Sequence, residues 1–500
     1  MARQREREDS MKLCVAALLL IPALTVQMAQ AQTPVAATAQ TAATLAATPP
    51  MGWNSYDAYG FTISEEQFRA NVKVLNNELK SSGWNYAVID EGWFLTDPED
   101  RSKPALWQYQ IDANGRYIPV AARFPSTGTV HAAPPVAATG ADAPVYKFNA
   151  VLGDASFKPL ADWVHSQGLK FGVHIVRGIP RASVERNLPI ADSSFHASDA
   201  ADTTDACPWD PTNWGVKDDA AGQAWYDSLL AQLAGWGVDL LKVDCIATNP
   251  YKIDEIRMIR KAINKTGRPI VLSLSPGPTA LENADEVAAE AQMWRISNDI
   301  WDYWANPNKG AYPRSLSSQF ATTAAWAPHS KPGNWPDADM LPIGELRPVA
   351  GDGPARTTRL TPTEQQTMLT LWAMARSPLI LGANLTLLDD ATLKMLTNHD
   401  LIRIDQTATR SGQVMHDGSI LAWTADLPAD SPDGTIALAL FNTGETQQVL
   451  SKVDFAMFNL DDDTAYRVKD VWTGKTINKV TEIDNLTIEP HASVLWLLKK

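Results

Sequence analysis

From about residue 49 to residue 403, short apolar runs alternate with longer segments in which apolar side chains return every three or four positions. The first pattern belongs to buried strands and the second to amphipathic helices, so the segment reads as a succession of βα units. The opening strand ends within Pro50-Met51-Gly52-Trp53-Asn54-Ser55-Tyr56. A helix follows with an acidic start, Glu65-Glu66, and with Phe68, Val72, Leu75 and Leu79 on one face; Gly83 closes it. Tyr86-Ala87-Val88-Ile89 is then a strand that finishes in the carboxylates Asp90 and Glu91. Further helices are expected over 157–167, 221–234, 253–264, 282–290 and 363–376, and further strands over 169–176, 240–245, 269–275, 293–298, 339–341 and 378–382. Strand ends near 54, 90, 175, 244, 275, 298, 340 and 382 predict a (β/α)8 barrel.

Two stretches break this rhythm. Residues from about 94 to 148 carry the turn Asp112-Ala113-Asn114-Gly115 and an Ala/Pro/Gly-rich piece from Ser126 to Pro144. An excursion of that length after a barrel strand is expected to be either a mobile, lid-like loop or a passive insertion. From residue 404 to 500 the texture changes to short strands near 419–423, 435–441, 465–470 and 494–498, separated by turns such as Asp433-Gly434 and Thr473-Gly474, which predicts a C-terminal antiparallel β-sandwich domain. At the N-terminus, Met11-Lys12, the apolar run from Leu13 to Val26 and the small-x-small site Ala29-Gln30-Ala31 read as a signal peptide over 1–31. An Ala/Thr/Gln-rich disordered leader over 32–48 follows. The expected destination is periplasmic or extracellular, and no later stretch is apolar enough to hold the chain in a membrane.

Composition narrows the partners. A formal charge of −14 disfavours nucleic acid, while 18 Trp fit sugar binding as well as core packing. Cys14 falls inside the signal, leaving Cys207 and Cys245 either as one disulfide or as two thiols. No metal-ligand spacing such as C-x-x-C or H-E-x-x-H occurs.

The chemistry concentrates on Leu240-Leu241-Lys242-Val243-Asp244-Cys245, after the turn-like Gly235-Trp236-Gly237. Alternation puts Lys242 and Asp244 on one side of this strand. A cation and a carboxylate on an otherwise apolar strand are costly to bury unless paired or used, and the C-terminal mouth of a barrel is where chemistry is done.

Together with Met51-Gly52-Trp53-Asn54-Ser55, Asp90, Arg295-x-x-x-Asp299, Asp337-Ala338-Asp339-Met340-Leu341 and Ser377-Pro378-Leu379-Ile380-Leu381-Gly382, this strand resembles glycoside hydrolase family 27, the α-galactosidases or melibiases. The resemblance spans about 49–404 and implies a retaining exo-glycosidase that needs no cofactor and removes terminal α-galactose from galactosides or related oligosaccharides. It makes Asp244 the nucleophile and Asp299 the acid/base. Lys242 and Asp90 would hold sugar hydroxyls, Arg295 would lie near the 2-hydroxyl, and Trp53 would form a wall. Retention requires two carboxyls roughly 5–5.5 Å apart, the nucleophile ionised and the acid initially protonated. Ile296, Ile300 and Trp301 are expected to desolvate Asp299 while Arg295 opposes them; Asp302 is a decoy carboxylate.

The departures bear on specificity. Family members carry two aspartates after the second strand, and here the pair is Asp90-Glu91. The longer Glu91 would crowd the C6 hydroxymethyl of galactose, whereas β-L-arabinopyranose lacks that group; α-galactosidase therefore stands first and β-L-arabinopyranosidase as the alternative. His174 and Arg177 on the third strand either shape the pocket or are a core histidine and a salt-bridged arginine. Ser273-Leu274-Ser275-Pro276-Gly277 replaces an acidic-aromatic group after the fifth strand. Two other classes compete: a Schiff-base enzyme using Lys242, and a saccharide-binding protein without turnover.

Overall fold

The computed structural model of the protein describes residues 45–96, 98, 108–129, 149–307, 310, 312–346, 354–428, 434–461 and 464–500. Eight parallel strands make its central sheet: β1 (Met51–Asn54), β2 (Tyr86–Ile89), β3 (Lys170–Val176), β4 (Leu240–Asp244), β5 (Val271–Leu274), β6 (Met293–Arg295), β7 (Trp335–Asp337) and β8 (Leu379–Leu381). Their order is β7-β6-β5-β4-β3-β2-β1-β8, and the parallel bridge Leu341–Leu381 joins the two ends, so the sheet curls shut into a (β/α)8 barrel. The seventh strand begins earlier than its motif suggested. Trp335 is drawn into the barrel interior, and Asp339, at φ 91°, cannot continue an extended strand.

The helices form where apolar spacing and caps coincide. In α1 (Glu65–Val74) the Ser64 and Gln67 side chains make a capping box. The series continues with α2 (Lys158–Ser166), α3 (Ala220–Trp236), α4 (Ile253–Thr266), α5 (Ala284–Glu290), α6 (Leu316–Trp326) and α7 (Pro362–Ala375). Asp219 caps α3, whose last turn is closed by Gly237 at φ 90°. Among the described residues no helix is long and apolar enough to cross a membrane.

Inside the barrel, side chains stack in layers. Tyr86, Leu240, Val271, Met293 and Trp335, each the first residue of its strand, form the lowest layer with Val88 above. Leu45 and Ala46 pack against it, and the Trp335 indole donates to Ala46 O at 2.7 Å. The end of the expected leader is thus an ordered plug. Period-two alternation then carries Lys242 and Arg295 toward the upper mouth.

Beyond the barrel lie β9 (Thr409–Asp417), β10 (Ile420–Leu427), β11 (Thr435–Asn442), β12 (Gln448–Asp454), β13 (Tyr466–Asp470), β14 (Thr476–Val480), β15 (Glu482–Ile488) and β16 (Ser493–Lys499). They form a six-stranded antiparallel sheet, β9-β10-β11-β16-β13-β14, and the ribbon β12-β15. This domain docks on the barrel helices: Phe441 meets Phe320 at 5.2 Å between ring centroids, and Thr367 Oγ1 donates to His491 O at 2.7 Å.

Within the expected insertion, 108–111 pairs in parallel with 149–152, and Gly115 N closes the predicted turn on Asp112 O at 3.0 Å. The Ala/Pro/Gly-rich segment assigned to a lid, and the signal peptide, lie essentially outside the described residues. Sequence reading missed a second excursion. Between β3 and α3, 179–180, 201–206 and 213–216 form a small antiparallel sheet whose loop carries Cys207 and Trp209.

Candidate active site

A cavity of about 310 Å³ opens at the C-terminal ends of the barrel strands. Asp90, Glu91, Lys242, Asp244, Arg295 and Asp299 all line it, so the two proposed reacting carboxyls, from β4 and from the loop after β6, share one space.

The β4 wall is heavily braced. Lys242 Nζ meets Asp90 Oδ2 at 2.9 Å, and Asn54 Nδ2 donates to the same oxygen at 2.6 Å. Burial pushes the Asp90 carboxyl up, but Lys242, His174 and Asn54 outweigh it and hold Asp90 well below the ordinary range. Burial likewise opposes charge on Lys242, yet Asp90 and Asp244 raise it above its ordinary value. A permanently charged, ion-paired ammonium is the opposite of what a Schiff-base lysine requires. Asp244 is also lowered: burial raises it, and the His174 hydrogen bond, the Lys242 charge and the Cys245 N–H together prevail. His174 Nε2 lies 3.4 Å from Asp244 Oδ2, and Cys245 N donates to Oδ1 at 2.9 Å.

Cys245 is unusual in its own right. It sits at φ 61°, is disulfide-bonded to Cys207 with Cα atoms 5.9 Å apart, and its carbonyl accepts from Arg177 Nε at 2.7 Å. Left-handed backbone beside a reacting group persists only where surrounding contacts over-determine it, as they do here. Arg177 also pairs with Asp205 at 2.9 Å and Glu255 at 2.7 Å, which settles its role as a buried salt-bridged brace.

The β6 wall is looser. Arg295 Nη2 reaches Asp339 Oδ2 at 2.6 Å and Asp299 Oδ1 at 3.2 Å. Burial, reinforced by Asp299 and Asp337 against the opposing Arg295, pushes Asp339 up to about 7. Asp299 keeps 43% of its side chain exposed. Ile296, Ile300 and Trp301 are buried as expected, and Ile300 and Trp301 line the cavity beside Asp299. Asp302 is held by Arg356 Nε at 2.8 Å and by Arg359 N at 2.9 Å, with no face on the cavity.

Two expected binding residues do not reach the cavity. Trp53 is fully buried, packs on Phe68 and donates its indole N–H to Ala383 O at 2.7 Å. Asn54 faces inward to Asp90, so its neighbour on the strand must face out; Tyr56 supplies the wall instead. His174 is buried behind Asp244, where it positions the carboxylate, and with Nδ1 unpartnered among the described residues the Nε2–H tautomer suits that bond. The structure also brings in residues that sequence reading missed: Asp57, Trp209, Tyr312 and Asp339. Asp57 is buried, its Oδ2 has no hydrogen-bond partner among the described residues, and burial first, then Asp339, raises its carboxyl well above the ordinary range. A side chain at Gly382 would collide with that oxygen.

Comparison with known proteins finds relatives along most of the chain. Residues 220–407 match the family model described as Alpha galactosidase A, and residues 417–498 match the Alpha galactosidase C-terminal beta sandwich domain. A solved β-L-arabinopyranosidase of glycoside hydrolase family 27 from Geobacillus stearothermophilus is 36% identical, with a TM-score of 0.79 over 92% of this chain and 98% of that one. A putative α-N-acetylgalactosaminidase from Bacillus halodurans C-125 is 34% identical, with a TM-score of 0.73 over 91% and 97%. Alpha-galactosidase 2 of Arabidopsis thaliana is 23% identical over 460 residues, 91% of this chain and 90% of that protein.

Proposed function

Because the chain belongs to glycoside hydrolase family 27 and is an O-glycoside hydrolase, we propose that it removes terminal β-L-arabinopyranosyl residues with retention, and α-D-galactosyl residues as a slower second class. The observation that carries the reaction type is the shared cavity of Asp244 and Asp299. Asp244, kept ionised by His174 and Lys242, attacks C1 of the sugar while Asp299 gives its proton to the departing glycosidic oxygen. That leaves a glycosyl-aspartate and a free alcohol. Asp299, now a carboxylate, takes a proton from a water molecule whose oxygen attacks C1, and Asp244 leaves as the carboxylate it began as. Lys242, Asp90 and Arg295 hold the hydroxyls.

Sequence reading put galactose first. Two observations favour the pentose. Glu91 is buried in the cavity wall where the family's shorter acid leaves room for a hydroxymethyl, and the 36%-identical relative is named for arabinopyranosides. Glu91→Asp is expected to move the ratio of kcat/KM for nitrophenyl α-D-galactopyranoside over β-L-arabinopyranoside upward by about 10- to 200-fold, the discrimination one methylene provides. An unchanged ratio would put the specificity elsewhere. Asp244→Gly should lose more than about 10⁴-fold in turnover, with azide restoring part of it on activated substrates; full activity in that variant would remove the nucleophile assignment. Export of the mature chain is supported by the Cys207–Cys245 disulfide.

A further inference from the structure

One carboxyl of the cavity has no task in the reaction described above. Asp57 stands on the short helical turn Tyr56–Tyr59 that follows β1, lines the cavity, and is 3% exposed. Its Oδ2 has no hydrogen-bond partner among the described residues. Buried polar oxygens are nearly always paired, so one left unpaired in the wall of a cavity calls for a partner from the cavity.

The barrel makes room for this carboxyl. Ile380 of β8 faces the barrel interior, where it lines a small space of about 30 Å³ with Leu240 and Met293. Two residues on, Gly382 points the same way by alternation, and a Cβ there would lie 1.9 Å from Asp57 Oδ2. The Asp57 carboxyl thus occupies the place at the mouth that a side chain of β8 would otherwise fill. Its turn is also tied to the loop after β8. Asn71 Nδ2 donates to Tyr59 Oη at 2.8 Å, and Leu385 N donates to Asn71 Oδ1 at 2.7 Å. A side chain fixed by packing and by bonds to a second element is pre-organised as a binding group must be.

Burial opposes charge on Asp57, and Asp339, Asp90 and Asp299 add to it with only Lys242 against them, so the carboxyl rests protonated. A neutral acid offers an O–H donor and acceptor oxygens on one group, the complement of a hydroxyl that both gives and receives. Asp90 differs: it is ionised, and its Oδ2 is already taken by Lys242 and Asn54.

Resting on the glycosidase reading, we propose that Asp57 is a further sugar-binding residue, whose carboxyl hydrogen-bonds one ring hydroxyl of the glycone from the β8 side of the pocket and so selects pyranosides that carry that hydroxyl. It takes no part in making or breaking bonds to C1.

The test uses the full chain and a nitrophenyl glycoside of the preferred glycone, together with its 2-, 3- and 4-deoxy analogues. In Asp57→Ala, kcat/KM for the parent should fall about ten- to a hundredfold, while for one of the three analogues it should fall about tenfold less, because the hydroxyl that Asp57 holds is already missing there. The other two analogues should fall as the parent does. Gly382→Ala, whose added methyl pushes the carboxyl aside, should single out the same analogue, and it carries the comparison if Asp57→Ala does not fold. Asp57→Asn, which keeps a donor and an acceptor, should restore most of the discrimination. A general loosening of the fold weakens all four substrates alike, so equal losses on all four, or no loss on any, would overturn the proposal. Inactivity of the wild-type protein on every glycoside would strike the glycosidase reading itself, a distinguishable outcome.

Discussion

Asp244 leaves 17% of its side chain exposed and Asp299 leaves 43%, although both face the same cavity. Behind Asp244 stand a buried histidine, an ammonium, a disulfide and a salt-bridged arginine. Behind Asp299 there is one guanidinium and a loop whose Trp304 leans on His491 of the β domain, ring centroids 3.9 Å apart. The difference matches two chemical duties. A carboxylate that attacks carbon has to stay charged and aimed, and bracing does both. A carboxyl that gives and regains a proton in each cycle has to exchange with water, and bracing of that kind would shut water out.

After loss of the nucleophile itself, breaking the open wall should cost the most. Asp299→Asn is expected to lower kcat/KM by about 10²- to 10⁴-fold on glycosides with poor leaving groups, and much less on dinitrophenyl glycosides, which need no proton to leave. Equal losses on both would place the acid elsewhere. On the braced wall, Lys242→Met strands Asp90 as a buried unpaired charge, so urea unfolding should register a loss of about 3–5 kcal/mol.

Proton linkage separates the walls further. Asp90 and Asp244 are lowered in the folded state, so their stabilisation is complete above the ordinary carboxylate range and is lost as pH falls below about 4. Asp57, Asp337 and Asp339 are raised; theirs is complete below about pH 4 and is lost as pH rises, in the case of Asp339 through about 7. The melting temperature should therefore peak in mildly acidic buffer, and Asp57→Asn should flatten the limb on the alkaline side. A melting temperature that climbs steadily from pH 5 to 8 would contradict this. The smallest effect is expected for Trp304→Ala, which removes the ring pair behind the acid loop: about 0.5–1.5 kcal/mol in stability, with a loss in kcat/KM larger than any in Val449→Ala, a control on an exposed side chain of the β domain.

Much of this was legible before any coordinates. The barrel strands and the long helices announce themselves because one face of each must be buried, which writes a period into the chain. Asp244, Lys242, Arg295, Asp90 and Asp299 stood out because each occupies a family motif at a strand end. What stayed hidden has a common cause. Gln448–Asp454 and Thr476–Val480 are strands with largely exposed, polar faces, so no apolar alternation marks them. Trp209 and Tyr312 sit on irregular loops, where only tertiary folding brings them to the mouth. Trp53 was misplaced although period two, applied to Asn54, would have turned it outward. Asp57 belongs to no motif, and only folding brings it against Gly382.

The plug beneath the barrel carries a practical consequence. A shortened gene beginning at residue 49, where the recognisable motif starts, would delete Leu45 and Ala46 and strip the Trp335 indole of its acceptor. One orphaned donor in that position costs about 1–3 kcal/mol, and solvent would gain a route into the layer of side chains on which the charged floor is stacked. Anyone trimming the protein for expression would be loosening the reaction chamber from underneath, some distance from any residue that touches sugar.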